Sequence, residues 1–200
     1  MPSASLVLYI TTLLEQAYAI GYHFPPPPAG IRSPGHHKAL LVLGSTCACS
    51  TLWALHRYDG RSAVFATFSF FASVLCLAYL ALFMWTSLTT KPRGFSVIFG
   101  KAQPEYVVTD GPYASIRHPT YVSYALSWTA AMLLMLGSRQ MFGPLGVIAL
   151  GCYVGSLFLF QQGAEQEEEE FRSDAKNEAV TDKYEAYMRE VQARWMPNLL

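Results

Sequence analysis

The sequence predicts an all-α protein, a polytopic membrane helix bundle with about five transmembrane helices. Hydrophobic residues make up 52% of the 200-residue chain and charged residues only 14%, against about 25% charged residues in soluble domains. Ten of the 14 acidic residues lie from Glu165 onward. The net charge of zero is therefore the sum of an almost uncharged apolar body and an acidic C-terminal segment.

Five apolar runs are long enough to cross a membrane as helices, because about 20 helical residues span roughly 30 Å of hydrocarbon. Glu15 and Gln16 interrupt the first run, and a carboxylate there should face the interior of the bundle. No change in composition marks a domain border, so we expect residues 1–200 to form a single integral-membrane domain. The predicted spans are residues 6–22, 39–55, 63–85, 121–136 and 141–160.

Two polar segments lie outside these spans, a long connection at residues 87–120 and a C-terminal tail at residues 164–200. With five spans, both segments and the loop before the second span lie on one side of the membrane. That side carries eleven of the 14 Lys and Arg residues, so the positive-inside rule places it in the cytosol. Apolar residues of the tail recur at helical spacing and predict an amphipathic helix that ends near Pro197. They are Val180, Tyr184, Tyr187, Val191 and Trp195.

The most unusual stretch of the chain reads DGPYASIRHPTY and ends at Tyr121. It begins with the turn residues Asp-Gly-Pro, in which Gly111 can take a positive φ. Pro119 suits the first position of a helix, where its missing N–H costs nothing. The stretch predicts a loop that brings Arg117 and His118 to the rim of a membrane helix, on the same side as the four consecutive glutamates of the tail.

Several function classes lack their characteristic residues in this chain. No Ser or Cys nucleophile has a paired base, and neither a metal-ligand spacing nor a phosphate-binding glycine loop occurs, so we expect no metal. No basic patch indicates nucleic acid. The four cysteines lie in apolar runs, where we expect small buried side chains. What remains is charge recognition beside apolar helices, since carboxylates can hold an amine or ribose hydroxyls and an arginine can hold a carboxylate or phosphate.

The order of these residues resembles the isoprenylcysteine carboxyl methyltransferase family over about the last hundred residues. The resemblance implies a multi-pass enzyme of the endoplasmic reticulum membrane with its active site facing the cytosol. Such an enzyme transfers a methyl group from S-adenosyl-L-methionine to the C-terminal carboxylate of a prenylated cysteine in CaaX-type proteins. The matching features are Gly111-Pro112-Tyr113, Arg117-His118-Pro119-Thr120-Tyr121, two apolar spans, a glutamate run and a Tyr184-x-x-Tyr187 helix.

The resemblance also implies roles for individual residues. Arg117 and Glu169 would take part in catalysis, and Arg117 and Arg172 would bind the substrate carboxylate. Family members often carry an arginine two residues before the glutamate run, where this chain has Glu165. The implied cofactor-binding residues are Gln103, Glu105, Tyr106, Val107, Val108, Tyr113, His118, Pro119, Thr120, Tyr121 and Glu169.

Two alternatives remain open. A phospholipid N-methyltransferase, of the phosphatidylethanolamine type, shares the plan of short helices and a cytosolic cofactor site. A non-enzymatic membrane scaffold would instead bind partners through the prolines at residues 25–28 and the acidic tail. The scaffold alternative predicts that Arg117, His118 and Glu169 can be replaced without consequence. A sterol-type reductase has a similar Arg-His-Pro turn, but such chains are generally much longer.

Overall fold

A computed structural model describes residues 4–18, 30–58, 62–90, 99, 106–173 and 178–195 of the chain. The regular structure in these ranges is helical, which confirms the predicted all-α class. Short 3-10 turns at Gly111–Ala114 and Gln140–Phe142 lie on either side of α4. The helices are α1 (Ala4–Tyr18), α2 (Pro34–His56), α3 (Ala63–Thr90), α4 (Pro119–Gly137), α5 (Pro144–Ser173) and α6 (Glu178–Glu190).

Four of the described helices, α2 to α5, are long and apolar enough to cross a membrane. Large apolar side chains such as Phe70, Leu77 and Phe158 are exposed on their outer surfaces, as expected where lipid replaces water. The protein is therefore a multi-pass membrane bundle. Helix α1 has 15 described residues, about 22 Å of helix, and residues 19–22 of its predicted span lie outside the described ranges. A fifth span stays a prediction.

Helix α4 is the central helix of the bundle. Of its most apolar stretch 72% is buried, against 28–33% for the other three spans. It packs mainly on α3, and α2 packs on both α4 and α5. Small residues permit these close approaches. A Cβ atom on Gly44 would lie 2.9 Å from Cζ2 of Trp128, and one on Gly137 would lie 2.8 Å from Cβ of Phe68.

The Glu15 carboxylate points into the bundle, as predicted, and so does the side chain of Gln16. The Tyr79 hydroxyl on α3 donates a hydrogen bond to Glu15, and Gln16 Nε2 donates to Ser127 Oγ on α4 at 2.8 Å. These bonds satisfy groups that would be costly in hydrocarbon, and they attach α1 to both neighbours. Of the four cysteines, which are all unpaired, only Cys49 departs from the predicted burial, because it lies on the outward face of α2.

Two of the membrane helices end later than their predicted spans. Helix α3 continues from residue 85 to Thr90, and α5 continues from residue 160 to Ser173. The 30 residues of α5 measure about 45 Å, more than the roughly 30 Å hydrocarbon layer. Glutamate is a good helix former, so the hydrogen-bond ladder continues past the apolar part. The acidic run is thus presented on a rigid extension of a membrane helix.

The C-terminal helix is shorter than predicted. Helix α6 ends at Glu190 instead of near Pro197, which lies outside the described residues. The chain leaves the helix because the carbonyls of Ala193 and Arg194 accept hydrogen bonds from the backbone of residues 117 and 118. The predicted apolar face does form, as Val180, Tyr184, Tyr187 and Val191 are buried against Val107. Trp195 does not belong to that face.

We expect Gly137→Ala to lower the thermal stability of the detergent-solubilised protein. The added methyl would meet Phe68 and the Cα atom of Phe65 on α3, so the main chains of α3 and α4 would have to separate, at a cost of about 1–3 kcal/mol. The matched control is Gly151→Ala on α5, where the methyl would meet nothing within 4 Å. Equal melting temperatures for the two variants would contradict the close α3–α4 contact.

Candidate active site

Three segments that are far apart in sequence meet at one end of the bundle. Arg32, before α2, forms an ion pair with Glu170 (Nη2 to Oε1, 2.7 Å), and its N–H donates to the carbonyl of Phe99 at 2.7 Å. The N–H groups of Arg117 and His118 donate to the carbonyls of Ala193 (3.0 Å) and Arg194 (3.3 Å). The predicted meeting of these segments therefore occurs, at one end of the bundle.

The turn before α4 has the predicted local structure. Gly111 has φ +60°, and its Cα lies so close to α3 that a Cβ would clash with Thr89 Oγ1. Pro119 is the first residue of α4, and His118 is its N-cap, with φ −124° and ψ 63°. The Tyr187 hydroxyl on α6 donates to the carbonyl of Tyr113 at 2.8 Å. The turn is therefore fixed from both sides, by α3 and by α6.

The imidazole of His118 lies between two carboxylates. Its Nδ1 is 3.3 Å from Glu167 Oε2 and its Nε2 is 3.1 Å from Glu168 Oε1. Burial by itself would lower the pKa of His118, but the hydrogen bonds with Glu167 and Glu168 outweigh it, and the pKa is raised above its usual value. The protonated ring can donate to both carboxylates at once.

Glu168 is the most enclosed carboxylate of this cluster, with 4% of its side chain exposed. It lies on the extension of α5, beyond the apolar stretch. Arg194 donates to both of its oxygens, from Nε at 3.0 Å and from Nη2 at 2.7 Å, and Arg117 Nη2 lies 3.6 Å from Oε1. Burial would raise the pKa of Glu168, but the hydrogen bonds from His118 and Arg194 lower it to about 2.

Tyr121 joins this polar cluster to a group of aromatic rings. Its hydroxyl donates to Glu167 Oε1 at 2.6 Å, and its ring packs edge-on against the rings of His118 and Phe160. Trp195 closes the group, with its ring centre 5.9 Å from those of both His118 and Tyr121. The hydroxyl of Tyr121 is therefore hydrogen-bonded within the polar cluster, and its ring is surrounded by other aromatic rings.

An apolar pocket of about 310 Å³ begins at Tyr121 and runs between α4 and α5. This volume is at the lower end of the range for small-molecule sites, about 300–1,000 Å³. Gln161 and Trp195 lie at the end near the polar cluster, and Thr129 and Tyr153 lie at the other end, eight residues further along each helix and so about 12 Å away. The Thr129 and Tyr153 hydroxyls pair with each other at 2.9 Å, so the pocket offers an entering group mainly apolar surface.

Part of the predicted cofactor set lies together in this cluster. His118, Pro119 and Tyr121 are buried there. Thr120 lies next to Tyr113, and burial together with the nearby charge of Glu167 raises the pKa of the Tyr113 phenol.

Other predicted residues lie apart from it. Val107 is buried under α6, Tyr106 is exposed and Val108 half-buried, and Gln103 and Glu105 lie outside the described residues. Glu169 is exposed, so its cofactor contact stays a prediction. Arg172 is exposed beside Met188, eleven residues and about 16 Å along α5 from Gln161.

Besides Glu167, four residues of the cluster were not among the predicted site residues: Glu168, Arg194, Trp195 and Gln161. Glu168 continues a stripe of buried residues at a spacing of four, formed by Ser156, Phe160 and Ala164, but this stripe reaches Glu168 only because α5 continues past residue 160. The three others are brought in by tail contacts that periodicity does not encode. Within the described ranges, no group of three or more His, Cys, Asp or Glu side chains could hold a metal ion.

Comparison with known proteins gives one finding. Neither the curated proteins nor the solved structures yielded a match. The model of the isoprenylcysteine carboxyl methyltransferase (ICMT) family matches residues 71–173, just over half of the chain. This range runs from within α3 to the end of α5 and includes the Arg-His turn, Tyr121 and the glutamate run. The chain therefore belongs to the isoprenylcysteine carboxyl methyltransferase family, a family of membrane methyltransferases.

Proposed function

We propose that this protein transfers a methyl group from S-adenosyl-L-methionine to the C-terminal carboxylate of a prenylated cysteine in CaaX-type proteins, at the cytosolic face of the endoplasmic reticulum membrane. The observation that carries the proposal is the position of Tyr121. Its hydroxyl belongs to the polar cluster and its ring lines the apolar pocket. A polar methyl donor in the cluster and an apolar acceptor chain in the pocket would meet at this residue.

The donor and acceptor groups of the cluster fit S-adenosyl-L-methionine, which supplies an electrophilic methyl group on a positively charged sulfur when bound. Its ammonium group and ribose hydroxyls need acceptors, and Glu167 offers a carboxylate that is 31% exposed. The faces of the Tyr113 and Tyr121 rings suit a cation. Its carboxylate needs a donor, and Arg117 Nε is buried without a hydrogen-bond partner. A buried donor of that kind is costly unless a ligand completes its bonding.

The acceptor requires little chemical activation. A C-terminal carboxylate has a pKa of about 3.5 and is already ionised at neutral pH, so the protein need not supply a general base. Its task is to align the carboxylate with the methyl group, which can contribute about 7–11 kcal/mol in well-oriented reactions. The rings of Tyr121, Phe160 and Trp195 also exclude water from the place where the two groups meet.

The apolar pocket would bind the prenyl chain of the acceptor. Each CH₂ group that leaves water contributes about 0.8 kcal/mol, and the pocket walls are apolar side chains of α4 and α5 such as Val122, Leu126 and Leu157. Most residues that line the pocket are half-exposed on α4 and α5, so a lipid-anchored protein could reach it from the membrane. A water-soluble acceptor would gain nothing from this position.

The first prediction concerns the reaction itself. Membranes containing the protein, incubated with methyl-labelled S-adenosyl-L-methionine and a farnesylated cysteine, should incorporate label that base releases as methanol, since base hydrolyses a carboxyl methyl ester. Membranes without the protein serve as the control. Base-stable label in lipid would instead assign phospholipid N-methylation, and absence of label in both fractions would contradict a methyltransferase acting on either acceptor.

The second prediction concerns which glutamate contacts the cofactor. We expect Glu167→Gln to raise the Kd for S-adenosyl-L-methionine about tenfold, which corresponds to the loss of one hydrogen bond to a charged group. Glutamine keeps an acceptor for the Tyr121 hydroxyl, so the fold should persist. Binding is measured on purified protein in detergent and compared with Glu169→Gln and with Glu185→Gln, an exposed substitution on α6.

The outcomes separate the candidates for this contact. A larger loss of affinity for Glu169→Gln than for Glu167→Gln would assign the contact to the residue that the family resemblance implies. Wild-type binding by both variants would remove Glu167 and Glu169 from the cofactor site.

A further inference from the structure

A chain of polar side chains lies across the mouth of the apolar pocket. The Trp195 indole N–H donates to Gln161 Oε1 at 3.1 Å, and Gln161 Nε2 donates to Glu165 Oε1 at 2.6 Å. The same oxygen of Glu165 lies 3.6 Å from Arg194 Nη1. Gln161 and Trp195 line the pocket, so the Glu165 carboxylate sits one helical turn beyond its rim.

Arg194 is built to hold a second carboxylate at this place. Its Nε and Nη2 are fixed by Glu168, which sets the plane of the guanidinium group. Its Nη1 faces Glu165 at a distance longer than a hydrogen bond. One edge of the fork is therefore immobilised, and the N–H groups of Nη1 can still bind a carboxylate.

The other arginines near the site are less suited to an acceptor at the pocket mouth. Arg172 is exposed and contacts Met188, about 16 Å from Gln161 along α5. Arg117 faces Glu168, and its backbone is bonded to the tail at Ala193. Among the arginines that the structure describes at this end, only Arg194 is connected to the pocket lining, through Glu165 and Gln161.

We propose that Gln161 and Arg194 bind the carboxylate of the acceptor where the Glu165 carboxylate lies in this structure, and that Glu165 competes with the acceptor for them. This inference rests on the proposed function, because it takes the acceptor to be a carboxylate on an apolar chain. The Glu165 side chain is 55% exposed, so it can turn into water when the acceptor enters. Its carboxylate accepts a hydrogen bond from the Gln161 amide and lies 3.6 Å from the Arg194 guanidinium, so both groups are within reach of a carboxylate here.

The competition has a consequence for product release. Methylation converts the acceptor carboxylate into an uncharged ester, which no longer forms an ion pair with Arg194. The Glu165 carboxylate keeps its charge and can return to Gln161 and Arg194. The methylated product is then held by its apolar chain alone, so it is more readily replaced by a new acceptor that still carries its carboxylate.

The test is competition binding with purified protein in detergent, using a fluorescent farnesyl analogue as the probe. Farnesylated cysteine and farnesol, which has no carboxylate, displace it. We expect Glu165→Gln to tighten binding of farnesylated cysteine about two- to fivefold, the range of a partly exposed ion pair, and to leave farnesol unchanged. Arg194→Lys should weaken farnesylated cysteine and again spare farnesol. Glu185→Gln and Arg189→Lys, both exposed on α6, are the matched controls.

Two results would overturn the inference. One is unchanged affinity of Glu165→Gln for farnesylated cysteine, and the other is an equal change for farnesylated cysteine and farnesol, which would mean that Glu165 only shapes the pocket. Because Arg194 also holds Glu168, the thermal unfolding of Arg194→Lys is measured alongside. If Arg194→Lys fails to fold, the result for Glu165→Gln, at an exposed position, decides the test. Because this assay measures binding and not turnover, a failure of the proposed methyl transfer is distinguishable from a failure of the proposed carboxylate binding.

Discussion

The site depends on the charge balance of one buried carboxylate, that of Glu168. A carboxylate with 4% exposure would cost several kcal/mol if it were unpaired. Its partners, His118, Arg194 and Arg117, come from the turn before α4 and from the tail after α6. Each segment therefore needs the other two in place, and the site forms when the turn, the extension of α5 and the tail assemble together.

Helix α5 sets the boundary between the apolar pocket and the polar cluster. Up to Gln161, α5 lines the apolar pocket, and from Glu165 it carries the carboxylates that bond His118, Tyr121 and Arg194. Because the helix is continuous through this boundary, the polar cluster is held about one helical turn from the apolar pocket. Under the proposed function, that rigidity is what allows a water-soluble methyl donor and a lipid-anchored acceptor to be aligned.

Local chemistry and hydrophobicity predict much of this arrangement. Apolar runs locate α2 to α5, Gly111 and Pro119 predict the turn, and alternation of the spans places the turn and the tail on one side. The choice within the glutamate run depends on the phase of α5, which could be known only once the helix was seen to continue past residue 160 to Ser173. The position of Trp195 depends on tertiary hydrogen bonds that end α6 at Glu190, against the helical periodicity of the sequence.

The tail also explains how a carboxylate can stand at position 165 beside a site proposed to take a carboxylate. An acidic side chain alone at the mouth would repel the acceptor, but Arg194 places a positive charge against it from another segment. The net charge at the mouth then depends on docking of the tail, which α6 secures through its buried face on Val107 and through the Tyr187 hydrogen bond to Tyr113. The same docking positions Trp195 over His118 and Tyr121. Under the proposed function, acceptor binding and cofactor binding would be coupled through one short segment, because displacing the tail would remove the cation and the aromatic wall together.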